Sequence, residues 1–186
     1  EADIHMIQER HEMNKTKTIK PDIAKRFLKT YKDILLFIYE EHRFEYDKDK
    51  PLELYVKSAR IIDKNPEYFD RWIADVKDYD KEMLDVIRKI RYDRFIYLKD
   101  TSSYSIVMES DYSRIYKCHG LNDGLQTLIS QDYASFECGL AKYENKIFIN
   151  GLVCDWIYLG VNFRNEVNAR FKILKKTGFS EDIICH

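Results

Sequence analysis

The chain has 186 residues, of which 45% are hydrophobic and 34% are charged, and its formal net charge is −1. This length suits one domain, or one domain with a helical subdomain, and the hydrophobic fraction suffices for a packed core. No apolar run approaches the roughly 20 residues of a membrane-spanning helix, so no contact with a membrane is expected. A net charge near zero predicts no general attraction to nucleic acid or to acidic lipids.

The first 21 residues divide into two segments. Residues 1–5 end in His-Met, a dipeptide commonly left at a cloning junction, so we interpret them as an expression-vector remnant and Met6 as the native start. Residues 6–21 form a basic N-terminal segment. No signal peptide is predicted after Met6, because residues 8–12 contain no apolar core.

Residues 22–93 have the periodicity of amphipathic helices, with apolar side chains every three or four positions from Ile23 to Ile38. Pro51 and the Asn65-Pro66 pair mark helix starts. Four helices are expected, at about 22–44, 51–63, 66–76 and 80–92. The sequence has no glycine before Gly120, so tight turns between helices are predicted rather than a linker.

Residues 94–180 change to strand periodicity, and a mainly antiparallel sheet is predicted over about 94–160, followed by a helix at about 164–176. The predicted fold class is therefore α+β: an N-terminal helical bundle of about four helices, then a mainly antiparallel β-sheet with a C-terminal covering helix. We expect the sheet and the C-terminal helix of residues 94–180 to pack together as one unit.

The stretch from Tyr133 to Leu159 is the clearest strand signal. Phe136, Cys138 and Leu140 alternate with small or polar residues, and the polar break around Asn145 predicts a β-hairpin whose two strands bury the same side of the sheet. Beyond a second turn at Asn150-Gly151, the spacing of Cys154, Trp156 and Tyr158 predicts one strand face. We expect a buried Trp156, with Phe148 or Trp156 against Val167 and Phe171 of the last helix.

Four cysteines are spread along the chain without a Cys-x-x-Cys pair: Cys118, Cys138, Cys154 and Cys185. Wide spacing and apolar strand positions indicate free, buried thiols in a reduced, cytoplasmic protein. A zinc site would need cysteines and His119 to converge from distant strands. No metal site and no cofactor are predicted.

Three short motifs carry a resemblance to a known group of proteins. They are Ile115–Asp123 (IYKCHGLND), Cys138–Tyr143 (CGLAKY) and Ile147–Leu152 (IFINGL). Together they resemble the C-terminal region of uncharacterised bacterial proteins, some of which carry a small SEC-C zinc motif. The resemblance implies the fold described above and no activity. Of the zinc motif only Cys185-His186 is present, so zinc binding does not carry over.

Charge is uneven along the helical half, and this gives one set of candidate binding residues. Lys25, Lys29 and Lys32 share a helix face, and the later helices are acidic. Tyrosine is abundant, at 14 residues, and tyrosine supplies rigid amphipathic area at interfaces. The candidate binding residues are Lys25, Lys29, Lys32, Asp75, Asp78, Asp80, Tyr79 and Tyr143. Several tyrosines at element ends should be exposed, among Tyr39, Tyr46, Tyr68, Tyr79, Tyr112 and Tyr143.

A second set of residues would suit catalysis. Glu137 and Asp155 can face each other across the predicted sheet, and paired carboxylates can perform acid–base chemistry, although on alternating strands they are more often a solvated face. The full candidate set is Glu137, Asp155, His119 and Arg164.

Two function classes follow. The favoured hypothesis is a non-catalytic interaction module, a bacterial or phage-encoded regulator, adaptor or inhibitor that binds a protein partner, because no nucleophile–base spacing, metal cluster or phosphate loop is present. The basic N-terminal segment would also suit contact with nucleic acid. The alternative is a small enzyme acting on nucleotides or nucleic acid. The sequence does not indicate an oligomeric state.

Overall fold

A computed structural model of the protein describes residues 17–183. Its helices are α1 (Pro21–His42), α2 (Leu52–Lys64), α3 (Glu67–Asp75), α4 (Lys81–Arg88), α5 (Leu125–Ile129) and α6 (Val161–Thr177). Its strands are β1 (Arg91–Asp100), β2 (Ser105–Glu109), β3 (Ile115–His119), β4 (Ala134–Tyr143), β5 (Lys146–Ile149) and β6 (Cys154–Tyr158). The predicted α+β class is confirmed. None of the described helices is both long enough and apolar enough to cross a bilayer.

The four N-terminal helices form close to their predicted positions. In α1 the stripe from Ile23 to Ile38 is buried, Pro21 occupies the first turn, and Arg43 ends the helix in the left-handed conformation with φ of 50°. The largest difference is in α4, which ends at Arg88 rather than near residue 92. Residues from Arg91 onward instead pair with β4, Arg91 opposite Leu140.

The strands form a six-stranded sheet in the order β1-β2-β3-β5-β4-β6, and β1 also pairs with β4. This extra pairing closes five strands into a barrel with the circuit β1-β2-β3-β5-β4-β1. All neighbours are antiparallel except β3 and β5, which pair in parallel through Cys118 and His119. With α5 between β3 and β4, this is the strand connectivity of OB-type barrels. The likeness is one of strand order.

Side chains from every barrel strand fill the interior. Phe95, Tyr97, Tyr116 and Phe136 are fully buried there, and Leu125 and Ile129 of α5 pack against them. The predicted hairpin is confirmed: Phe136, Cys138 and Leu140 lie in the same cluster as Ile147 and Ile149 of the next strand. A barrel of this size is a packed core and leaves no room for a ligand inside it.

Helices cover the outside of the barrel on two sides. The N-terminal bundle packs on β4 and β5, where the ring of Phe27 meets the ring of Phe148 edge-on at 5.0 Å. Helix α6 packs through Val167 and Leu174 on outward-facing residues of β1, β2 and β3 (Ile96, Leu98, Ile106, Met108 and Ile115).

Two expectations about these contacts are therefore wrong. Phe148 contacts α1 and not the last helix, and Trp156 is 43% exposed instead of buried. The reason is topological: closure of the barrel places β1 to β3 beneath α6, whereas β6 lies at the end of the sheet.

The last residues before α1 join the helices to the barrel. Thr18 forms a parallel bridge with Gly120, and the ammonium of Lys17 lies 3.2 Å from the carboxylate of Asp100, whose side chain is 4% exposed. Residues 6–16 of the basic segment, and residues 1–5, lie outside the described residues.

Candidate functional site

Two of the four candidate catalytic residues lie side by side. The Arg60 guanidinium on α2 donates to both carboxylate oxygens of Glu137, at 2.7 and 2.8 Å, and to Asp155 at 2.8 Å. Arg94 adds a bond of 3.0 Å to the Asp155 backbone carbonyl. We refer to Arg60, Arg94, Glu137 and Asp155 as the Arg60 cluster.

A β-bulge puts Asp155 in reach of Arg60. The register between β4 and β6 shifts between Ser135 and Glu137, so that two residues of β6 oppose one of β4. Asp155 has a φ of 50°, a left-handed conformation that aspartate tolerates better than most residues. The bulge thereby turns the Asp155 carboxylate toward α2 instead of along the sheet.

Ligand atoms of Glu137, Cys154 and Asp155 lie within 4.8 Å of one another, a spacing compatible with a metal ion. Arg60 already neutralises these carboxylates, and its bonds to them raise its pKa above the ordinary range. Burial raises the pKa of the Cys154 thiol, which lies 3.6 Å from the Tyr92 hydroxyl. A protonated thiol and an ion-paired carboxylate are poor metal ligands. The cluster is therefore built as a salt bridge that fastens β6 to α2.

The other two candidate catalytic residues lie elsewhere. His119 ends β3, where its ring Nδ1 lies 3.3 Å from the Ile147 carbonyl oxygen, and burial lowers its pKa. Arg164 lies in the first turn of α6. A shallow cavity of about 250 Å³ beside the Arg60 cluster is lined by Glu137 but by neither His119 nor Arg164.

The structure brings several candidate binding residues together between α1 and the turn before α4. Lys29, Asp78, Tyr79 and Asp80 line one cavity of about 250 Å³. Asp80 also caps α4 by accepting from the Met83 amide at 3.1 Å. Asp80 is therefore already bonded within the protein.

Arg26 forms ion pairs with two acidic side chains next to this cavity. Its guanidinium donates to Asp80 and to Glu82. The hydrogen bond to Asp80 lowers the pKa of Asp80 below its usual range, and the hydrogen bond to Glu82 does the same for Glu82. The Tyr143 hydroxyl donates to Glu82 at 2.9 Å. Among the remaining candidates, Lys25 and Asp75 are exposed, and Lys32 lies over the Tyr55 ring.

The six tyrosines expected to include exposed members are all half-buried. Their rings pack on neighbouring side chains: Tyr39 on Phe44 and Tyr46, and Tyr79 on Trp72 at 5.5 Å. The expectation of several exposed tyrosines among these six is wrong: Tyr39, Tyr46, Tyr68 and Tyr79 pack on neighbouring rings, and Tyr143 bonds Glu82.

A cleft of about 870 Å³ lies between β3, the β4–β5 turn and the segment after α6. Its two lysines are engaged: Lys117 lies between the rings of Tyr104 and Phe179, each at 5.1 Å, and Lys142 pairs with Asp182. The cleft contains one further acidic side chain, Glu181. With Asp182, which pairs with Lys142 but does not line the cleft, the two basic and two acidic side chains balance, and nothing in the lining selects a ligand class.

Strand β6 and the start of α6 carry the most prominent exposed apolar surface among the described residues. The side chains are Trp156 (43% exposed), Ile157 (66%), Tyr158 (42%), Val161 (62%) and Phe163 (59%). We call these five residues the β6 surface. From Cys154 to Phe163 the only charged residue is Asp155, which is held by Arg60. The described part of the chain supplies β6 with one neighbouring strand, β4.

Sequence reasoning misses this surface because the spacing of Trp156 and Tyr158 predicts a buried strand face. A signal was present: Trp156, Ile157 and Tyr158 are consecutive, so they occupy both faces of a strand. A strand that is apolar on both faces lies either inside a sheet or at an exposed interface. Only knowledge of the neighbouring strands separates these two cases.

Searches of family models, of curated proteins and of solved structures found no match to this chain. The resemblance carried by the three short motifs therefore stays an interpretation, and Cys185-His186 lies outside the described residues.

Proposed function

We propose that the protein is a non-catalytic interaction module that binds a protein partner through the β6 surface. The observation that supports this proposal is the exposure of five large apolar side chains along an edge strand and the first turn of the following helix. These side chains all lie within residues 156–163, and clusters of exposed apolar side chains mark interaction sites more often than isolated ones do.

The chemistry of this surface is that of a binding interface. Aromatic anchors dominate interface energetics, and tryptophan and tyrosine are enriched at such hot spots. An edge strand also offers backbone N–H and C=O groups to which an extended segment of another chain can bond. Trp156 and Tyr158 lie on the edge strand itself, so both kinds of contact are available in one place.

The rival hypothesis, an enzyme acting on nucleotides or nucleic acid, receives less support. Acid–base chemistry needs a carboxylate free to exchange a proton, and Glu137 and Asp155 are both bound to Arg60. His119 and Arg164 lie away from that cluster. The outer face of β1 to β3 is covered by α6, so it is not open to a ligand.

The sequence supports further proposals about the compartment, the source and the role of the protein. Cys118, Cys138 and Cys154 are free thiols, which suits the reduced cytoplasm. The composition suits a bacterial or phage source of low genomic GC content. A regulator, adaptor or inhibitor is the role that such a binding surface would serve. Contact with nucleic acid through residues 6–21 stays a secondary proposal.

Affinity capture with three matched variants tests the proposal. Tagged parent, Ile157→Lys/Phe163→Lys and the control Ile173→Lys are compared in lysate of the source organism, with mass spectrometry. Ile173 is 56% exposed and lies on α6 about 15 Å along the helix from Phe163. We expect at least one protein to be retained by the parent and the control and lost with the double variant.

The captured protein is then purified and titrated. The double variant should bind it at least roughly tenfold more weakly, since a lost aromatic or aliphatic anchor costs more than about 1 kcal/mol. Amide hydrogen exchange should show protection of residues 156–163 in the complex. Equal binding by the parent and both variants would show that the β6 surface is not the interface.

A further inference from the structure

We propose that the β6 surface binds a second copy of the same chain, with two β6 strands pairing antiparallel about a two-fold axis. This inference rests on the function proposed above, because it names the occupant of the same surface.

The first support is the direction of the free backbone groups. The Leu159 amide donates to the Tyr133 carbonyl at 2.8 Å, toward β4. Because backbone groups alternate along a strand, the N–H and C=O of Tyr158 point away from β4. A two-fold axis beside Tyr158 lets the two copies exchange this N–H and C=O reciprocally, as in the hydrogen-bonded pair of an antiparallel ladder.

The second support is the absence of repulsion. A two-fold axis beside Tyr158 places Ile157 diagonally across from its own copy, at roughly 7–8 Å, so like charges at neighbouring positions of the strand would repel. Natural edge strands use lysine, proline or inward-pointing charges to prevent such pairing. Residues 156–163 contain none of these. The bulge ends before Ile157, which pairs regularly with Ser135 of β4. Arg60 pairs with Asp155, the one charged side chain of β6 itself.

The third support is composition and area. Homodimer interfaces are more apolar than interfaces between unlike chains, and no charged group on this surface selects a charged partner. Half-exposed side chains of this size expose on the order of 100 Å² each, giving roughly 500 Å² per subunit. A standard interface buries about 800 Å² per partner. Backbone pairing adds to the side-chain area, so we expect a dimer with Kd in the micromolar range, on the order of 1–100 μM.

A charge-pair experiment on the full chain tests self-association. Sedimentation equilibrium is measured from about 1 to 200 μM, a span set by the expected Kd, for the parent, Ile157→Lys, Ile157→Glu and the control Ile173→Lys. The parent and the control should dimerise. Each Ile157 variant alone should dimerise at least roughly tenfold more weakly, because like charges lie diagonally across the two-fold axis, and an equal mixture of the two should recover a mixed dimer.

A second pair of variants isolates the backbone. Tyr158→Ala and Tyr158→Pro both remove the phenol, whose hydroxyl donates to the Ile129 carbonyl at 2.6 Å. Only the proline variant also removes the outward N–H. We expect Tyr158→Pro to dimerise at least roughly tenfold more weakly than Tyr158→Ala, and circular dichroism on both reports whether each is folded.

The outcomes separate this inference from the proposed function. A parent that stays monomeric throughout, or a dimer that is unaffected by charge at Ile157, overturns the self-pairing. If capture then still identifies a different protein that depends on the β6 surface, the interaction module stands without the dimer. If both measurements are insensitive to the β6 surface, both proposals fail.

Discussion

Strands β5 and β6 pair with the same edge of β4 and yet have opposite environments. β5 pairs with residues 140–143 of β4 and also with β3, so it closes the barrel. β6 pairs with residues 134–137 of β4 alone. Phe148 of β5 is fully buried beneath α1, whereas Ile157 of β6 is 66% exposed.

The difference shows that apolar character does not decide burial in this sheet. Both strands consist largely of apolar residues, IFI in one and WIY in the other. What differs is the number of neighbours: β5 has a strand on each side and helices above it, and β6 has one strand. The boundary between the two is Asn150, whose side chain accepts from the Gly139 and Leu152 amides and donates to the Tyr31 hydroxyl.

Thiol labelling should give the largest contrast between the barrel and β6. Cys118 and Cys138 are fully buried in the barrel, whereas Cys154 at the start of β6 is half-buried. Labelling of the native protein, mapped by peptide mass spectrometry, should modify Cys154 at least roughly a thousandfold faster, since the buried thiols react only when the barrel unfolds.

The pH dependence of that labelling follows from the thiolate fraction. Burial raises the pKa of Cys154, so less thiolate is present at pH 8 than in an unfolded chain. Its labelling rate should keep rising above pH 9. Equal rates at Cys154 and Cys138 would contradict the contrast, and Cys154→Ser is the control for assigning the fast site.

Phe148→Ala tests the enclosed member of the pair. The ring is fully buried and packs edge-on against Phe27, so its removal should lower the free energy of unfolding by about 3–5 kcal/mol. Urea unfolding followed by circular dichroism measures this loss. A loss below about 1 kcal/mol would show that β5 does not join the bundle to the barrel.

Asn150→Ala tests the boundary between the two strands. The substitution leaves the Gly139 and Leu152 amides buried without their acceptor, and each unsatisfied buried amide costs about 1–3 kcal/mol. We expect a total loss of about 2–6 kcal/mol in urea unfolding. Tyr31→Phe, which removes only the third bond, is the control and should cost about 1 kcal/mol.

Trp156→Ala should have the smallest effect on stability. With 43% of the side chain already in water, the loss in free energy of unfolding should be about 1 kcal/mol, well below that of Phe148→Ala. The two variants are melted in urea side by side, at a low protein concentration that keeps the chain monomeric. A cost equal to that of Phe148→Ala would place Trp156 in the core.

Much of the local structure could be predicted from the sequence. The stripe from Ile23 to Ile38 determined α1, because helix periodicity is a property of neighbouring residues. The same holds for the β4–β5 hairpin, where alternation and the turn near Asn145 set the register. The sequence also suggests that Glu137 and Asp155 lie close together. It does not indicate that Arg60 bonds to both, because Arg60 belongs to a helix far away in the chain.

Only the tertiary structure decided what happens between distant segments. Barrel closure depends on β1 meeting β4, and no local pattern encodes that pairing; this closure placed α6 over β1 to β3 and left β6 at the sheet end. The sequence determined that Trp156, Ile157 and Tyr158 form an apolar strand. Whether that strand is core or surface depends on how many neighbours the topology gives it, because burial is a property of the assembled sheet and not of the residues themselves.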